Sequence, residues 1–465
     1  MSIWLIIFVI FFLVLALSRL DWATLLLIAA LPTYLIRFNI LNLPLTLLEV
    51  MILIAFGVWF FKFFTPEIKN ILHNQEKRLS YPYSREIILL IILSFIATGV
   101  SGFNTGALGI WKAYFFEPIL FFILVFNVFK DKKEFTKIFW ALAISAAIIS
   151  AFAIFQKITG LFIANPTWAA AESRRAVSFF GYPNAVGLYL APLIMVFIGW
   201  LFSLSWTNIL DQALKKSTIT LIIASSLLAI YSARSEGALI GIAAALLVFG
   251  FCSGKKQKIV TLLLLAAVIG GVFWFAPSRD FVSTKLALND LSGQIRRQQW
   301  KETAKMLQAG KIISGAGLDN YQAAVKPYHQ EGIFFNNDNL ANFDAVVWAS
   351  STLRTKYWQP VEIYLYPHNI FLNFWSELGL LGLLLFIWLI ARYLFTSIKL
   401  NISLERNNRP EKYLVLGLAT AMITIVIHGL VDVPYFKNDL AVMFWLFFAL
   451  LGLLDMNYRR GLNKN

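Results

Sequence analysis

Arginine and histidine side chains stand at the ends of long apolar runs in four parts of this sequence. The four segments run from Ser173 to Pro192, Tyr231 to Gly241, Arg296 to Tyr321 and Tyr366 to Gly382. Arginine presents a fixed fork of donors that matches phosphate oxygens, and a neutral histidine can accept a proton near neutral pH. Charged groups near lipid are costly and usually face a cavity. These segments are therefore candidate sites for chemistry on a phosphorylated substrate.

The first two segments each place an arginine beside a turn. Arg175 precedes a Gly-Tyr-Pro-Asn turn, in which Asn184 could instead cap the following helix. Arg234 and Glu236 lie in a tight turn between two apolar runs, where they could simply pair with each other. Taken alone, Arg175 is equally well interpreted as an anchor at the membrane interface.

The third segment joins a basic helix to a pair of glycines. Arg296, Arg297 and Trp300 fall within SGQIRRQQWKETAKMLQAG, which predicts a helix ended by Gly310. The following GAGLDNY, which ends at Tyr321, contains a lone Gly-x-Gly, and this is weak evidence for phosphate binding. The pattern has no preceding strand, so we do not expect a nucleotide site.

The chain has four histidines, and two of them stand at the edges of apolar runs. His368, followed by Asn369, lies where a polar loop enters an apolar run, and the sequence HGLVD carries His428 and Asp432. His368 is the candidate general base. An interfacial histidine bonded to the backbone is the commoner role for such a residue.

The elements that must position these residues are apolar helices. The chain has 465 residues, of which 59% are hydrophobic and 14% charged, whereas soluble domains carry about 25% charged residues. This balance excludes a soluble enzyme, and long unbroken apolar runs exclude a transmembrane β-barrel. The pattern predicts an all-α polytopic transmembrane helical bundle of about 12–13 spans, some of them shorter than roughly 20 residues.

The net charge of +15 is concentrated in one set of loops. The positive-inside rule places these basic loops in the cytoplasm and explains the charge without a nucleic acid. They are Lys69 to Arg85, Lys130 to Lys133, Lys215 with Lys216, Lys255 to Lys258, Arg392 to Lys412, and the tail with Arg459, Arg460 and Lys464. The four candidate segments then face outward.

Three domains follow from the distribution of the apolar runs. Residues 1–276 are N-terminal transmembrane helices, residues 277–367 form one larger extracytoplasmic loop domain, and residues 368–465 are C-terminal transmembrane helices. The loop domain is expected to contain one helix and otherwise irregular chain, and to cover the membrane core as a lid. The first apolar run, Ile3 to Leu17, lacks a cleavage site and is interpreted as a retained helix. Cys252 is the single cysteine, so no internal disulfide is expected.

In their order and sequence these motifs resemble the O-antigen ligase and polymerase superfamily of bacterial inner-membrane proteins. The matching features are R-x-x-x-x-x-x-x-P-N from Arg175, S-x-R-S-E-G-A from Ser232, R-x-x-x-W, G-x-G-x-x-x-Y, H-N-x-x-L from His368 and H-G-L-V-D from His428. The resemblance begins near Gly109 and is strongest from Arg175 to Trp445. One departure is the turn after Arg234, which often reads Ser-Arg-Gly in the family but continues here as Ser-Glu-Gly.

The resemblance implies a glycosyltransferase acting on a polyprenyl-diphosphate-linked glycan at the outer face of the inner membrane. The acceptor is a hydroxyl of a lipid A–core sugar or of another glycan chain. In this reading His368 accepts the acceptor's proton, and Arg175, Arg234 and one of Arg296 or Arg297 hold the diphosphate. Supporting roles fall to a further set: Asn184, Glu236, Trp300, Tyr321, Asn369, His428 and Asp432.

The expected chemistry is inverting and needs neither a metal nor a cofactor. A single displacement inverts the anomeric carbon, and the sequence shows no acidic pair with metal-ligand spacing. Aromatic side chains such as Trp168, Tyr182, Trp300 and Tyr321 could stack on sugars, although an interfacial aromatic belt explains most of them. The expected partners are the lipid-linked donor, a glycan or glycolipid acceptor and membrane lipids.

Three other functions remain open at this level. An O-antigen polymerase or a protein O-oligosaccharyltransferase shares the same motifs. A lipid-linked glycan transporter or flippase belongs to a different class, and outward-facing basic residues would suit it as well. Against the transporter class, the sequence shows neither an evident inverted repeat nor a charged residue clearly placed at mid-membrane, and transporters often have both.

Overall fold

The computed structural model describes residues 3–40, 43–64, 81–204, 209–338 and 340–462. Most of the predicted cytoplasmic loop from Lys69 to Arg85, and Lys464 of the tail, lie outside the described residues.

Helices dominate the described part of the chain and confirm the all-α fold class. From the N-terminus they are α1 Ile3–Ser18, α2 Leu20–Ala29, α3 Leu47–Trp59, α4 Ser84–Val100, α5 Thr105–Val128, α6 Lys132–Thr159, α7 Pro166–Ala169, α8 Asn184–Ser203, α9 Ile209–Ala233 and α10 Glu236–Ser253. They continue as α11 Lys255–Trp274, α12 Ala276–Leu286, α13 Leu291–Met306, α14 Tyr321–Val325, α15 Phe343–Ala349, α16 Ser351–Tyr357, α17 Ile370–Arg406, α18 Lys412–His428 and α19 Asn438–Leu462.

Two antiparallel strand pairs accompany these helices in the described part of the chain. Strand β1 (Arg37–Ile40) pairs with β2 (Leu43–Thr46) just before α3. Strand β3 (Gly332–Phe334) pairs with β4 (Trp358–Pro360) within residues 277–367.

Eight helices in the described residues are long and apolar enough to cross a membrane, namely α5, α6, α8, α9, α10, α11, α17 and α19. A polytopic membrane protein is therefore confirmed. The other predicted stretches contain the shorter helices α1, α2, α3, α4 and α18, so the total of about 12–13 spans remains a prediction. Helix α2 ends at Ala29 and is followed by a 3-10 helix, Leu31–Leu35, because Pro32 lacks the N–H that would continue an α-helix.

Helices α8 and α19 form the core of the bundle. In their most apolar 18-residue stretches, 83% and 89% of the residues are buried, respectively. Helix α8 lies against α18 through glycines, and a Cβ on Gly199 would be 2.7 Å from the Cα of Gly417. Small residues at such a crossing let two helix backbones approach closely, as is common within membranes. This packing holds α8 against α18, and the start of α8 and the end of α18 carry candidate site residues.

Residues 277–367, which the sequence predicts to lie outside the membrane and which we call the outer segment, are more regular than the sequence predicted. They contain most of α12, all of α13 to α16 and the β3–β4 pair, so the expectation of a single helix was wrong. A small second core forms here from Met306, Leu307, Ala316, Tyr321 and Val325. Its local contacts could not be read from periodicity, because α14 to α16 have only five to seven residues each.

The glycine pair of GAGLDNY joins the outer segment to the membrane helices. Gly315 and Gly317 both have positive φ, and Cβ atoms there would lie 2.7 Å from backbone atoms of Gly379 and Ser101 respectively. Gly379, at a kink in α17, also has positive φ. Glycine is needed where backbones approach this closely, so the motif serves packing.

Candidate active site

The backbone around His368 is held by three parts of the chain. Trp300 Nε1 on α13 donates to the carbonyl of Pro367 at 2.9 Å, and Asn369 Nδ2 donates to the carbonyl of Leu430, beyond α18, at 3.0 Å. The Asn369 side chain also accepts the amides of Phe371 and Leu372, both at 3.0 Å, and so caps α17. His368 itself has φ of +46°, a conformation that surrounding contacts must maintain in a non-glycine residue.

The His368 ring is oriented by a residue that the sequence did not single out. Its Nδ1 lies 3.2 Å from Oε1 of Gln299, which is buried and sits on the same face of α13 as Arg296 and Trp300. A carbonyl oxygen can only accept, so Nδ1 carries the proton and the lone pair of the neutral ring is on Nε2. The sequence analysis missed Gln299 because it is uncharged and lies inside a helix. Its i, i+3 spacing from Arg296 was the one sequence feature that could have indicated a role in the site.

Burial makes His368 a neutral imidazole. Burial is the largest influence on the pKa of His368 and lowers it below its ordinary value. The positive charge of Arg296 lowers this pKa further. The carboxylate of Asp432 acts in the opposite direction without reversing the shift. A ring with a lowered pKa is unprotonated at pH 7, which is the state that a general base requires.

A hydrogen-bonded chain links Arg175 to Asp432. The Arg175 Nη2 atom donates to Oδ1 of Asn184 at 3.2 Å, and Nδ2 of Asn184 donates to Oδ2 of Asp432 at 3.1 Å. Asp432 is buried and also accepts the amide of Val433 at 2.9 Å. Asn184 therefore bridges two charged side chains; it makes no side-chain cap on α8, so the capping alternative was wrong.

Arg175 is half-buried against the turn that carries Arg234. Its Nε donates to the carbonyl of Ala233 at 3.0 Å and its Nη2 to the carbonyl of Arg234 at 3.3 Å. Burial, followed by the positive charge of Arg234, lowers the pKa of Arg175 from its ordinary value, and Arg296 adds to the effect. Positive charge is therefore crowded here, and an anion would relieve the repulsion.

The turn itself does not contain the internal pair that was one alternative. Arg234 is exposed, has φ of +52°, and donates to the carbonyl of Glu172 at 3.3 Å. Glu236 instead pairs with Lys285 of the outer segment, with Nζ and Oε2 2.7 Å apart. Glu236 thus ties the outer segment to α10 and leaves the Arg234 charge uncompensated.

The two neighbouring arginines of α13 point in different directions. Arg296 is partly buried, donates to Oγ of Ser292 at 2.8 Å, and has a buried Nε without a hydrogen-bond partner among the described residues. Arg297 is exposed and reaches Oδ1 of Asn289 at 3.5 Å. Among the described residues, Arg296 is the one charged group that lowers the pKa of both His368 and Arg175.

Two further predicted residues are buried in structural positions. His428 ends α18, and a Cβ on Gly237 would lie 2.8 Å from its ring, so the glycine of the Arg234 turn packs directly against it. The Tyr321 hydroxyl is 2.8 Å from that of Thr303, and its ring lies in the small core of the outer segment. Tyr321 therefore supports that segment and presents no open ring face to a sugar.

Lys437 is a buried cation that the sequence analysis missed. Its Nζ has no hydrogen-bond partner among the described residues and lies 3.9 Å from Oδ1 of Asp439. It also faces the rings of Tyr34, Phe180 and Tyr182, with centroids 5.1, 4.3 and 5.6 Å away. Burial lowers the Lys437 pKa, although Asp439 and Asp432 oppose the shift. The sequence does contain one signal that could have identified Lys437, namely a charged residue between the HGLVD motif and the last apolar run.

Six side chains thus form what we call the His368 cluster: Arg175, Asn184, Arg296, Gln299, His368 and Asp432. It combines a neutral base with positive charge that lacks a full set of partners, an arrangement suited to taking a proton beside a bound anion. Within the described residues, no three His, Cys, Asp or Glu side chains are grouped so that they could hold a metal ion.

Comparison with known families assigns part of this region. Residues 220–387 match the family model described as O-antigen ligase. This match confirms the resemblance to the O-antigen ligase superfamily. The matched residues of the O-antigen ligase family model include Arg234, Arg296 and His368, whereas Arg175 and Asp432 lie outside the match and join the cluster through folding. No curated protein matches the chain.

The O-antigen ligase family match also bears on the general function. It supports a glycosyltransferase-type activity in lipopolysaccharide or polysaccharide biosynthesis, with glycan substrates. Together with the eight apolar helices it fits a multi-pass membrane protein.

Proposed function

We propose that this protein transfers a glycan from a polyprenyl-diphosphate carrier to an acceptor hydroxyl, as an O-antigen ligase. The observation that carries the proposal is the convergence of neutral His368 with Arg175 and Arg296 where the outer segment meets the bundle. The acceptor is a sugar of lipid A–core or of a glycan chain. The reaction takes place at the outer face of a bacterial inner membrane.

The arginines bind the diphosphate of the donor. Among the described residues Arg296 has an unpartnered Nε and Arg234 has no carboxylate partner, and Arg175 is held by the backbone carbonyls of the Arg234 turn. Their guanidinium groups stabilise the negative charge that grows on the diphosphate as the glycosidic bond breaks. This role replaces the metal ion of many glycosyltransferases, so the reaction is metal-independent and uses no cofactor.

His368 activates the acceptor. Its Nε2 accepts the proton of the acceptor hydroxyl while that oxygen attacks the anomeric carbon of the donor. The bond between the anomeric carbon and the phosphate oxygen breaks, and the diphosphate leaves with the electron pair. Because the displacement is single and from the opposite side, the anomeric configuration inverts.

The position of the His368 cluster suits a substrate that has one lipid-soluble part and one water-soluble part. The polyprenyl tail remains among apolar helices, and the sugars extend into water beneath the outer segment. His368 lies at the junction of these two regions, one residue before the cap of α17. A site at this boundary lets the diphosphate bind without withdrawing the tail from lipid.

A reconstituted transfer assay tests the proposed function. Purified protein in liposomes receives a polyprenyl-diphosphate-linked glycan and a lipid A–core acceptor, with and without EDTA. We expect a single shift of the acceptor that EDTA does not reduce. A ladder of donor-linked chains indicates a polymerase. Donor that crosses the bilayer without being joined to any acceptor contradicts transfer and favours a flippase.

Membrane sidedness is tested by labelling introduced cysteines. With Cys252 first replaced by serine, a cysteine at Lys326 should react with an impermeant thiol reagent added outside the cell. A cysteine at Lys132 should react only after the membrane is opened, because compact basic loops stay in the cytoplasm. The reverse pattern rejects the proposed site, since every group assigned to it must face outward.

The adjacent arginines of α13 offer a matched comparison. Arg296→Ala should lower kcat/KM by roughly 10–100-fold, the range expected when a hydrogen bond to a charged group is lost. Arg297→Ala removes the same charge from an exposed position and should change kcat/KM by less than about 3-fold. Equal losses in the two variants show that net charge, and not contact with the diphosphate, explains the effect.

A further inference from the structure

A cavity of about 700 Å³ lies between the start of α4, the middle of α17 and the end of α19. Asn438, at the start of α19, is six residues after Asp432 of the His368 cluster, and Arg460, which lines the cavity, follows Asn438 by 22 residues. At 1.5 Å per residue this is roughly 33 Å. That length is close to the thickness of the bilayer's hydrocarbon core. The cavity therefore lies at the membrane interface opposite His368, on the side where the basic loops are predicted.

Four arginines and two carboxylates line the cavity, which leaves an excess of two positive charges. Arg392 contacts Glu86 and lies 5.2 Å from the centroid of the Tyr83 ring. Arg459 pairs with Asp455 at 2.9 Å. The remaining two, Arg85 and Arg460, are exposed and form no ion pair with a described residue.

The backbone adds donors at the same place. Helix α4 begins at Ser84 without a side-chain cap, after Tyr83 in the left-handed conformation with φ of 63°. The first N–H groups of a helix lack partners within it and favour an anion. The Tyr83 hydroxyl, which lines the cavity, is buried near Thr396 and makes no well-aligned hydrogen bond among the described residues. A buried hydroxyl without a well-aligned partner is uncommon and indicates that one is missing.

Apolar side chains form the wall beside these donors. Phe126, Trp388 and Met456 line the cavity, and Trp388 Nε1 donates to Glu86 at 3.1 Å while its ring is largely exposed. An exposed tryptophan in this setting is typical of the headgroup level of a membrane. The cavity thus joins a polar, basic end to an apolar wall.

We propose that this cavity binds the phosphate of an anionic phospholipid headgroup in the leaflet opposite the His368 cluster. The unpaired guanidinium groups of Arg85 and Arg460 and the open donors at the start of α4 hold the phosphate oxygens. The glycerol and first acyl carbons lie along the wall that contains Trp388. Basic cavities between transmembrane helices at this interface are suited to anionic headgroups. Free phosphate carries the same chemistry without the acyl chains.

The proposal is tested by native mass spectrometry of the full chain with phosphatidylglycerol, phosphatidylcholine or inorganic phosphate. We expect phosphatidylglycerol to bind far more tightly than phosphatidylcholine. The double variant Arg85→Ala, Arg460→Ala should weaken phosphatidylglycerol binding by roughly 30-fold, about 5-fold for each arginine. The matched control, Arg406→Ala with Arg409→Ala, removes two exposed arginines from the same face but outside the cavity.

Each outcome bears on the proposal. An unchanged affinity in the double variant, or an equal loss in the control, overturns it. Displacement of phosphatidylglycerol by millimolar inorganic phosphate supports the phosphate chemistry and identifies free phosphate as the competing ligand. If the alanine variant unfolds, Arg85→Gln with Arg460→Gln keeps a polar side chain without the charge and must show the same selective loss. These readouts measure binding, so they do not depend on glycan transfer.

Discussion

Replacing His368 with alanine is expected to reduce glycan transfer by about 10²–10⁴-fold, the usual contribution of a general base. The loss should appear in kcat, with donor binding largely kept, because the arginines are assigned to the diphosphate and the histidine to the acceptor's proton. The turn itself should remain folded, since Trp300 and Asn369 hold it through backbone atoms. Steady-state kinetics and a thermal-unfolding curve measure the two quantities.

The pH dependence separates a base from a positioning group. Burial lowers the pKa of His368, so the wild-type rate should be level near pH 7 and fall only when the pH drops below the ordinary histidine value of about 6.5. His368→Gln keeps hydrogen bonding but cannot take a proton at these pH values, so it should be nearly as inactive as the alanine variant. An active glutamine variant with the wild-type pH profile argues that His368 only positions the acceptor.

His329 provides the control for the same substitution. It lies in the outer segment with Nδ1 3.2 Å from Glu302 and Nε2 3.1 Å from the carbonyl of Val361. His329→Gln should therefore leave both kcat and the acid limb of the profile unchanged. A shift of the acid limb in this variant instead assigns the titration to His329.

The second large effect is expected at Arg175. Arg175→Ala should lower kcat/KM for the lipid-linked donor by at least about 100-fold, because it removes a diphosphate ligand and the bridge through Asn184 to Asp432. Arg175→Lys should restore part of the activity, since an ammonium group keeps the charge but cannot reproduce the fork. Donor-dependence curves give the split between KM and kcat.

Arg174 is the matched control for Arg175. Its guanidinium donates to the carbonyls of Lys157, Ile158 and Ala169, and it has no contact with the His368 cluster among the described residues. Arg174→Ala should cost some stability and little kcat/KM. If the two alanine variants lose activity equally, Arg175 is an interfacial anchor and the diphosphate must be bound elsewhere.

Part of the site could be predicted from residue types alone. Arg175, Arg234 and His368 were identified because charged or basic side chains at the ends of apolar runs are rare, and their order matched a known family. Gln299 and Lys437 were not identified. A glutamine within a polar helix has nothing unusual in its composition, and the burial of Lys437 depends on three rings from distant segments.

The choice between Arg296 and Arg297 shows why spacing was not enough. Both stand next to each other in the sequence, and only the packing of α13 over the His368 turn decides which one faces inward. The same holds for Glu236, whose partner Lys285 comes from the outer segment and not from the turn. Rotation of a helix about its axis is set by contacts with other elements, which a single sequence does not display.

The amino-acid sequence by itself determined that this is an all-α membrane protein, because the apolar composition and the length of the runs leave no other way to satisfy the backbone in lipid. The tertiary structure decided which polar side chains meet. Asn184 and Asp432 are 248 residues apart, yet they share a hydrogen bond because α8 packs closely against α18. Such contacts depend on close packing between helices, and the periodicity of one helix carries no record of its neighbour.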